Sequence, residues 1–148
     1  MQRSKVEVYL HVVWINYRRA AFLSGALEEQ VHTVIAGEAT ALGRKVLAVN
    51  GMPDHVHLVV RLHSTVSISK LAQRLKGSSL RFINEHFAVD EPFRWQERYG
   101  CFSFDASDLK TVVEYVLNQK QHHCTGTVAV DWEESEEEDP NYPDTMPI

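Results

Sequence analysis

Residues 46–62 read Val46-Leu47-Ala48-Val49-Asn50, then Gly51-Met52-Pro53-Asp54, then His55-Val56-His57-Leu58-Val59-Val60-Arg61-Leu62. The outer parts are rich in β-branched residues. The middle holds Gly, Pro and Asp, which supply unusual φ values, fix φ, or hydrogen-bond their own backbone in tight turns. The stretch predicts two antiparallel strands joined by a hairpin, Val46 to Asn50 and His55 to Leu62. Alternate side chains of a strand point to opposite faces, so His55 and His57 project together while Val56 and Leu58 point the other way. Two convergent imidazoles can share a divalent cation; they can equally be two polar residues on the solvated face of a sheet. With eight histidines in 148 residues, the His-x-His triplet alone does not decide between them.

Working outward, Val6 to Trp14 alternates as a first strand. Ser24 can cap a helix reaching about Leu42, with Leu27, Val31, Val34, Ile35 and Leu42 on one face and Gly43 ending it. A second helix is expected from about Ser67 to His86, its apolar face formed by Ile68, Leu71, Leu75 and Phe82. Arg94-Trp95 and Cys101 to Phe104 read as short strand-like pieces around Gly100. Asp105 or Ser107 can cap a third helix over about Asp108 to His123, striped by Leu109, Val112, Val113 and Val116. The order β-α-β-β-α-β-α predicts an α+β class. The simplest arrangement with right-handed crossovers is a ferredoxin-like, split βαβ antiparallel sheet with an added C-terminal helix.

A chain of this length, 44% hydrophobic, can bury one core, which is expected within residues 1–127. The net charge of −5 is uneven. Residues 128–148 carry eight acids and no Lys or Arg, which leaves 15 basic against 12 acidic residues elsewhere, a net of +3. The folded part is thus mildly basic and suits a polyanion, whereas 128–148 is expected to be a solvated, disordered acidic tail. No apolar run approaches the roughly 18 residues of a membrane span. The N-terminal residues run into a strand pattern, unlike a secretory leader. Cys101 and Cys124 have no metal or redox spacing, and reduced thiols in the cytoplasm are the expectation.

Two further groups could do chemistry. Tyr115 and Gln119 are four apart and share one helix face, with Asn118, His122 and His123 nearby. A phenol with a pKa of about 10 is a poor nucleophile without a cation or base beside its target. A Gln carbonyl can join two imidazoles around Mg²⁺ or Mn²⁺. The plainer alternative packs Tyr115 against Val112 and leaves Gln119 in water. On the second helix, Gly77 stands mid-helix at a cost of about 1 kcal/mol relative to Ala, which suggests close backbone approach. Lys76 and Arg81, with Lys70 and Arg74, could bind phosphates or simply form a solvated face.

Taken together, these segments resemble the transposases of the 200/605 group of insertion sequences, single-tyrosine members of the HUH (His-hydrophobe-His) nuclease superfamily. The resemblance rests on His11-Val12-Val13-Trp14, Met52 to Val60, Leu75-Lys76-Gly77-Ser78-Ser79, Phe93 to Gln96 with Tyr99 to Ser103, and Tyr115 to Gln119 followed by His122-His123. It spans about residues 6 to 123. It implies a metal-binding pair His55 and His57, a third ligand Gln119 and a nucleophile Tyr115. Lys76, Ser78, Arg81 and Arg18 are the expected DNA contacts. The implied activity is cutting and rejoining single-stranded DNA at element ends through a 5′-phosphotyrosine intermediate, with Mg²⁺ or Mn²⁺. Implied partners are DNA hairpins and a second copy of the chain, whose site the tyrosine helix often completes. The chain departs from the pattern at Ile15-Asn16-Tyr17-Arg18-Arg19, where a Thr-Lys pair is expected, and after His123, where the acidic segment matches nothing. The rival reading is a non-mobile relative that binds hairpins without cutting. Retention of all four site residues argues against it.

Overall fold

The computed structural model describes residues 5–62, 66–87 and 92–126, so the tail expected over 128–148 lies outside the described residues. Four strands, β1 (Val8–Ile15), β2 (Lys45–Met52), β3 (His55–Leu62) and β4 (Gly100–Phe104), form one antiparallel sheet in the order β2-β3-β1-β4. Helix α1 (Gly25–Ala41) connects β1 to β2, and α2 (Ile68–His86) connects β3 to β4. Each pair so connected is parallel and separated by one strand. This is the split βαβ arrangement expected from the element order.

Alternation along the central strands divides the molecule. Leu10, Val12 and Trp14 of β1 and Val56, Leu58 and Val60 of β3 share one cluster with Val31 and Ile35 of α1 and Leu71, Leu75 and Ile83 of α2. The opposite face carries Val59 of β3 and Ala48 of β2 under Val112, Tyr115 and Val116. These last three belong to α3 (Leu109–Leu117). Both sides of β3 are covered from His55 to Val60, which explains its nearly unbroken apolar run. Among the described residues, no helix is long and apolar enough to cross a membrane.

The hairpin places the histidines. Asn50 pairs with His57, Gly51 with Val56 and Met52 with His55. A Cβ on Gly51 would lie 2.2 Å from the carbonyl oxygen of His55, so only glycine lets β2 approach there.

Three expectations need correction. The single helix over 108–123 is two, α3 and α4 (Gln119–Thr125), broken at Asn118 with φ −99° and ψ 22°. The Asn50 amide donates to Leu117 O at 2.9 Å, taking the carbonyl that a continuous helix would offer to Gln121. Gly126, with φ 72°, then ends α4. Ser24 occupies the N-cap of α1 but its hydroxyl makes no capping bond. At the third helix, Asp105 rather than Ser107 is the acceptor: its carboxylate receives the Ser107 N–H at 3.0 Å, capping a 3-10 turn that leads into α3. Arg94-Trp95 contributes a single bridge, Asn16 to Trp95, instead of a strand.

Candidate active site

His55 and His57 leave β3 on the face covered by α3, where both are buried. A strand neighbour joins them: His11 of β1 lies on the same face, and its Nε2 is 2.8 Å from His57 Nδ1, the rings stacked at 5.0 Å. His55 Nδ1 is 2.6 Å from Asp54 Oδ1 in the hairpin turn, and Arg19 Nη1 is 3.5 Å from the other carboxylate oxygen. The bond to His55 and the nearby cations hold the Asp54 carboxyl below its ordinary range, although partial burial opposes them. In both histidines Nδ1 is therefore engaged, which orients Nε2 as the ligating atom in the manner of a carboxylate–imidazole pair behind a metal.

The last two helices bring the other candidates to this face. Tyr115 is 7% exposed; its ring meets His57 edge-on at 6.2 Å and stacks on His122 at 4.6 Å. Gln119, the first residue of α4, is fully buried. Its Oε1 lies 3.5 Å from His55 Nε2 and 3.2 Å from His123 Nε2. Its amide nitrogen has no hydrogen-bond partner among the described residues.

That arrangement fits a cation. Gln119 turns its carbonyl oxygen toward His55 and His123 and leaves its buried amide nitrogen without a partner among the described residues. A carbonyl turned inward at that cost suits two imidazoles and an amide oxygen sharing a divalent ion. Among the described residues no group of three or more His, Cys, Asp or Glu could hold a metal, so the candidate set depends on the Gln oxygen.

Helix α4 is tied down beside this cluster. Lys120 Nζ donates to Glu28 Oε1 at 2.5 Å, Asn50 Oδ1 at 2.9 Å and Gly51 O at 3.2 Å. Glu28 sits on α1 and is itself buried, so β2, α1 and α4 converge on one ammonium. His11 and Asp54 lie in segments that carried the resemblance but were given no role there, and Asn50, Glu28 and Lys120 carry no signal of theirs, since their partners come together only through strand register and helix docking. The parity of His11 on the first strand was the one available hint.

The candidate DNA contacts lie elsewhere. Lys76, Ser78 and Arg81 are on α2, which packs on the sheet face opposite the histidines. The Lys76 ammonium donates to the Gln96 and Glu97 carbonyls, and burial draws it down to about 8, so it braces the 94–98 loop. Arg81 is exposed and Ser78 half-buried. A Cβ on Gly77 would meet nothing within 4 Å, so none of the described residues makes the close approach expected there. Arg18 is exposed in the 3-10 turn Tyr17–Arg19 that follows β1. Cys101 and Cys124 are unbridged, as expected.

Similarity to known proteins agrees with the fold. The ISDra2 transposase TnpA of Deinococcus radiodurans is 29% identical over 84 residues, 55% of this chain and 60% of that protein, so the match spans less than two thirds of the relative. A crystal structure of a protein described as a transposase from D. radiodurans R1 superposes with a TM-score of 0.65 at 22% identity, covering 80% of this chain and 98% of the other. A REP-associated tyrosine transposase bound to a REP hairpin gives a TM-score of 0.59 at 16% identity, covering 86% and 74%. At these identities the two structures speak for the fold alone. Residues 4–119, most of the chain, match the family described as IS200-like transposases, and the chain belongs to that family.

Proposed function

We propose that the chain is a DNA transposase that cuts and rejoins single-stranded DNA at the ends of its element through a 5′-phosphotyrosine intermediate. The observation that carries this reading is the convergence, within one chain, of the Tyr115 ring, the His55–His57 pair and the Gln119 carbonyl on one sheet face. Tyr115 is the nucleophile. Its Oη attacks the scissile phosphorus, the bond to the 3′ oxygen breaks, and that oxygen takes a proton to become a free 3′-OH. Rejoining is the reverse: another strand's 3′-OH attacks the phosphotyrosine and returns the proton to Tyr115. Because the tyrosyl ester conserves the phosphodiester bond energy, no nucleotide cofactor is needed.

His55, His57 and Gln119 would hold Mg²⁺ or Mn²⁺. When bound, such an ion supplies positive charge at the phosphate and at the oxygens that gain charge in the transition state. His11 and Asp54 position the two imidazoles, and Lys120 holds the start of α4 in register. Since Tyr115 is almost fully covered, approach of a phosphate requires the His122 ring stacked on it to swing aside.

The substrate is read as a folded single strand, a hairpin, in keeping with the hairpin bound by the structural neighbour. The working unit is a homodimer. The test is to incubate the protein and Mn²⁺ with single-stranded hairpins from the DNA flanking its own gene. A covalent adduct resistant to denaturant is expected with wild type and absent with Tyr115→Phe, which removes only the hydroxyl. Equal cleavage of perfect duplex, or adduct formation by Tyr115→Phe, would reject the reading.

A further inference from the structure

The end of β1 and the loop before β4 build a second polar site beside the histidines. Tyr17 N donates to Arg94 O at 3.0 Å and Gln96 N to Ile15 O at 2.8 Å, so the two segments are laced together. Between them opens a cleft of about 410 Å³ lined by Tyr17, Arg18, Arg94 and Arg98, with Glu97 its one carboxylate. The Arg94 guanidinium lies 4.4 Å from the centre of the Tyr17 ring and that of Arg18 lies 5.1 Å from it. Among the described residues, no carboxylate pairs with Arg18 or Arg94. A guanidinium lying over an aromatic ring keeps its N–H edge available for an anion.

The backbone is shaped for this. Arg18 and Arg19 both adopt left-handed conformations, φ 56° and 51°, which side chains larger than Gly rarely take. The Asn16 amide holds the turn by donating to Ala20 O at 2.7 Å and Pro53 O at 2.9 Å. Strain of this kind persists where surrounding contacts fix it and where the side chains it presents are used. The turn that carries Tyr17 and Arg18 is also tied to the hairpin behind the candidate centre: Asn16 N donates to Asp54 O at 2.8 Å, and Arg19 reaches the Asp54 carboxylate that contacts His55.

We propose that this cleft holds one unpaired nucleotide of the strand that enters the active site, its base added to the Tyr17–Arg94 stack and its phosphate taken by Arg18. An aromatic and guanidinium platform suits this ligand, because every base has a π-face and duplex DNA keeps its bases stacked on one another. The inference rests on the transposase reading and adds the element that grips the single strand next to the scissile phosphate.

Binding to hairpins from the flanking DNA, with and without an unpaired extension, tests it in the presence of a chelator, with adduct formation measured in parallel. Tyr17→Ala and Arg94→Gln, both at solvent-accessible positions, are expected to weaken binding of the extended hairpin by about tenfold and leave the blunt hairpin within about twofold. Arg18→Gln, which removes the proposed phosphate contact, should also flatten the salt dependence by somewhat under one unit of slope. Tyr17→Phe keeps the ring and should bind like wild type, a control against general misfolding. Equal losses on both hairpins, no loss on either, or a wild-type chain indifferent to the extension would each overturn the inference. Those outcomes alongside a normal wild-type adduct would leave the transposase reading standing; absence of the adduct would remove that reading instead.

Discussion

The two faces of the sheet are built by the same strands and differ in what they are for. On one, Val56, Leu58 and Val60 interlock with Leu71, Leu75 and Ile83, a dry layer whose role is to exist. On the other, the residues between them, His55 and His57, join His11, Tyr115 and Gln119, a layer equally buried but made of groups that need partners. Burying polar groups is costly unless each is satisfied, and here Gln119 keeps an orphaned amide nitrogen. One side of β3 is packed from apolar side chains and the other from buried polar ones. A period of two residues is enough to separate them.

Adjacent residues of β3 can break that comparison. His57→Ala should lower Mn²⁺ affinity by about a hundredfold or more, since one of three proposed donors goes. It should cost less stability than its neighbour. Leu58→Ala should cost about 2–5 kcal/mol of folding stability, with Mn²⁺ affinity of the folded chain unchanged. Denaturant melts and Mn²⁺ titrations on both variants are the check, and parallel losses in both measurements would show that the faces are not separable.

His11→Ala sharpens it. His11 lies behind His57 and touches no substrate in this account, so its removal should weaken Mn²⁺ binding by roughly 10–100-fold through a mis-set imidazole. A titration matching wild type would reduce His11 to a core residue. The smallest effect belongs to Lys120. Its side chain is 56% exposed but its partner Glu28 is buried, so Lys120→Ala leaves a covered carboxylate without its cation and should slow adduct formation by about fivefold or somewhat more. The wild type should slow similarly as salt screens the pair. A rate insensitive to both changes would mean that the tie to Glu28 does not position Gln119.

Much of this was legible from residue order. The hairpin at 51–54 and the parity of His55 and His57 are local patterns, and locality is what a sequence displays; Tyr115 and Gln119, read as sharing one helix face, meet the histidines from two helices, α3 and α4. The break at Asn118 was not, because its cause, the Asn50 amide, is 67 residues away in sequence. The same holds for His11 behind His57, 46 residues apart, and for Lys120 on Glu28, 92 apart. Lys76 shows the converse. As a cation on a polar stretch it read as a phosphate contact, but packing turned its ammonium onto the carbonyls of the 94–98 loop.

The central claim, that the buried tyrosine beside the His pair makes the covalent bond, is tested most directly by trapping the protein–DNA adduct, digesting it and mapping the modified peptide by mass spectrometry. The account predicts a single nucleotide-modified residue, Tyr115, in the peptide containing Tyr115-Val116-Leu117-Asn118. A modification on Tyr99, Tyr17 or Tyr9 would contradict it.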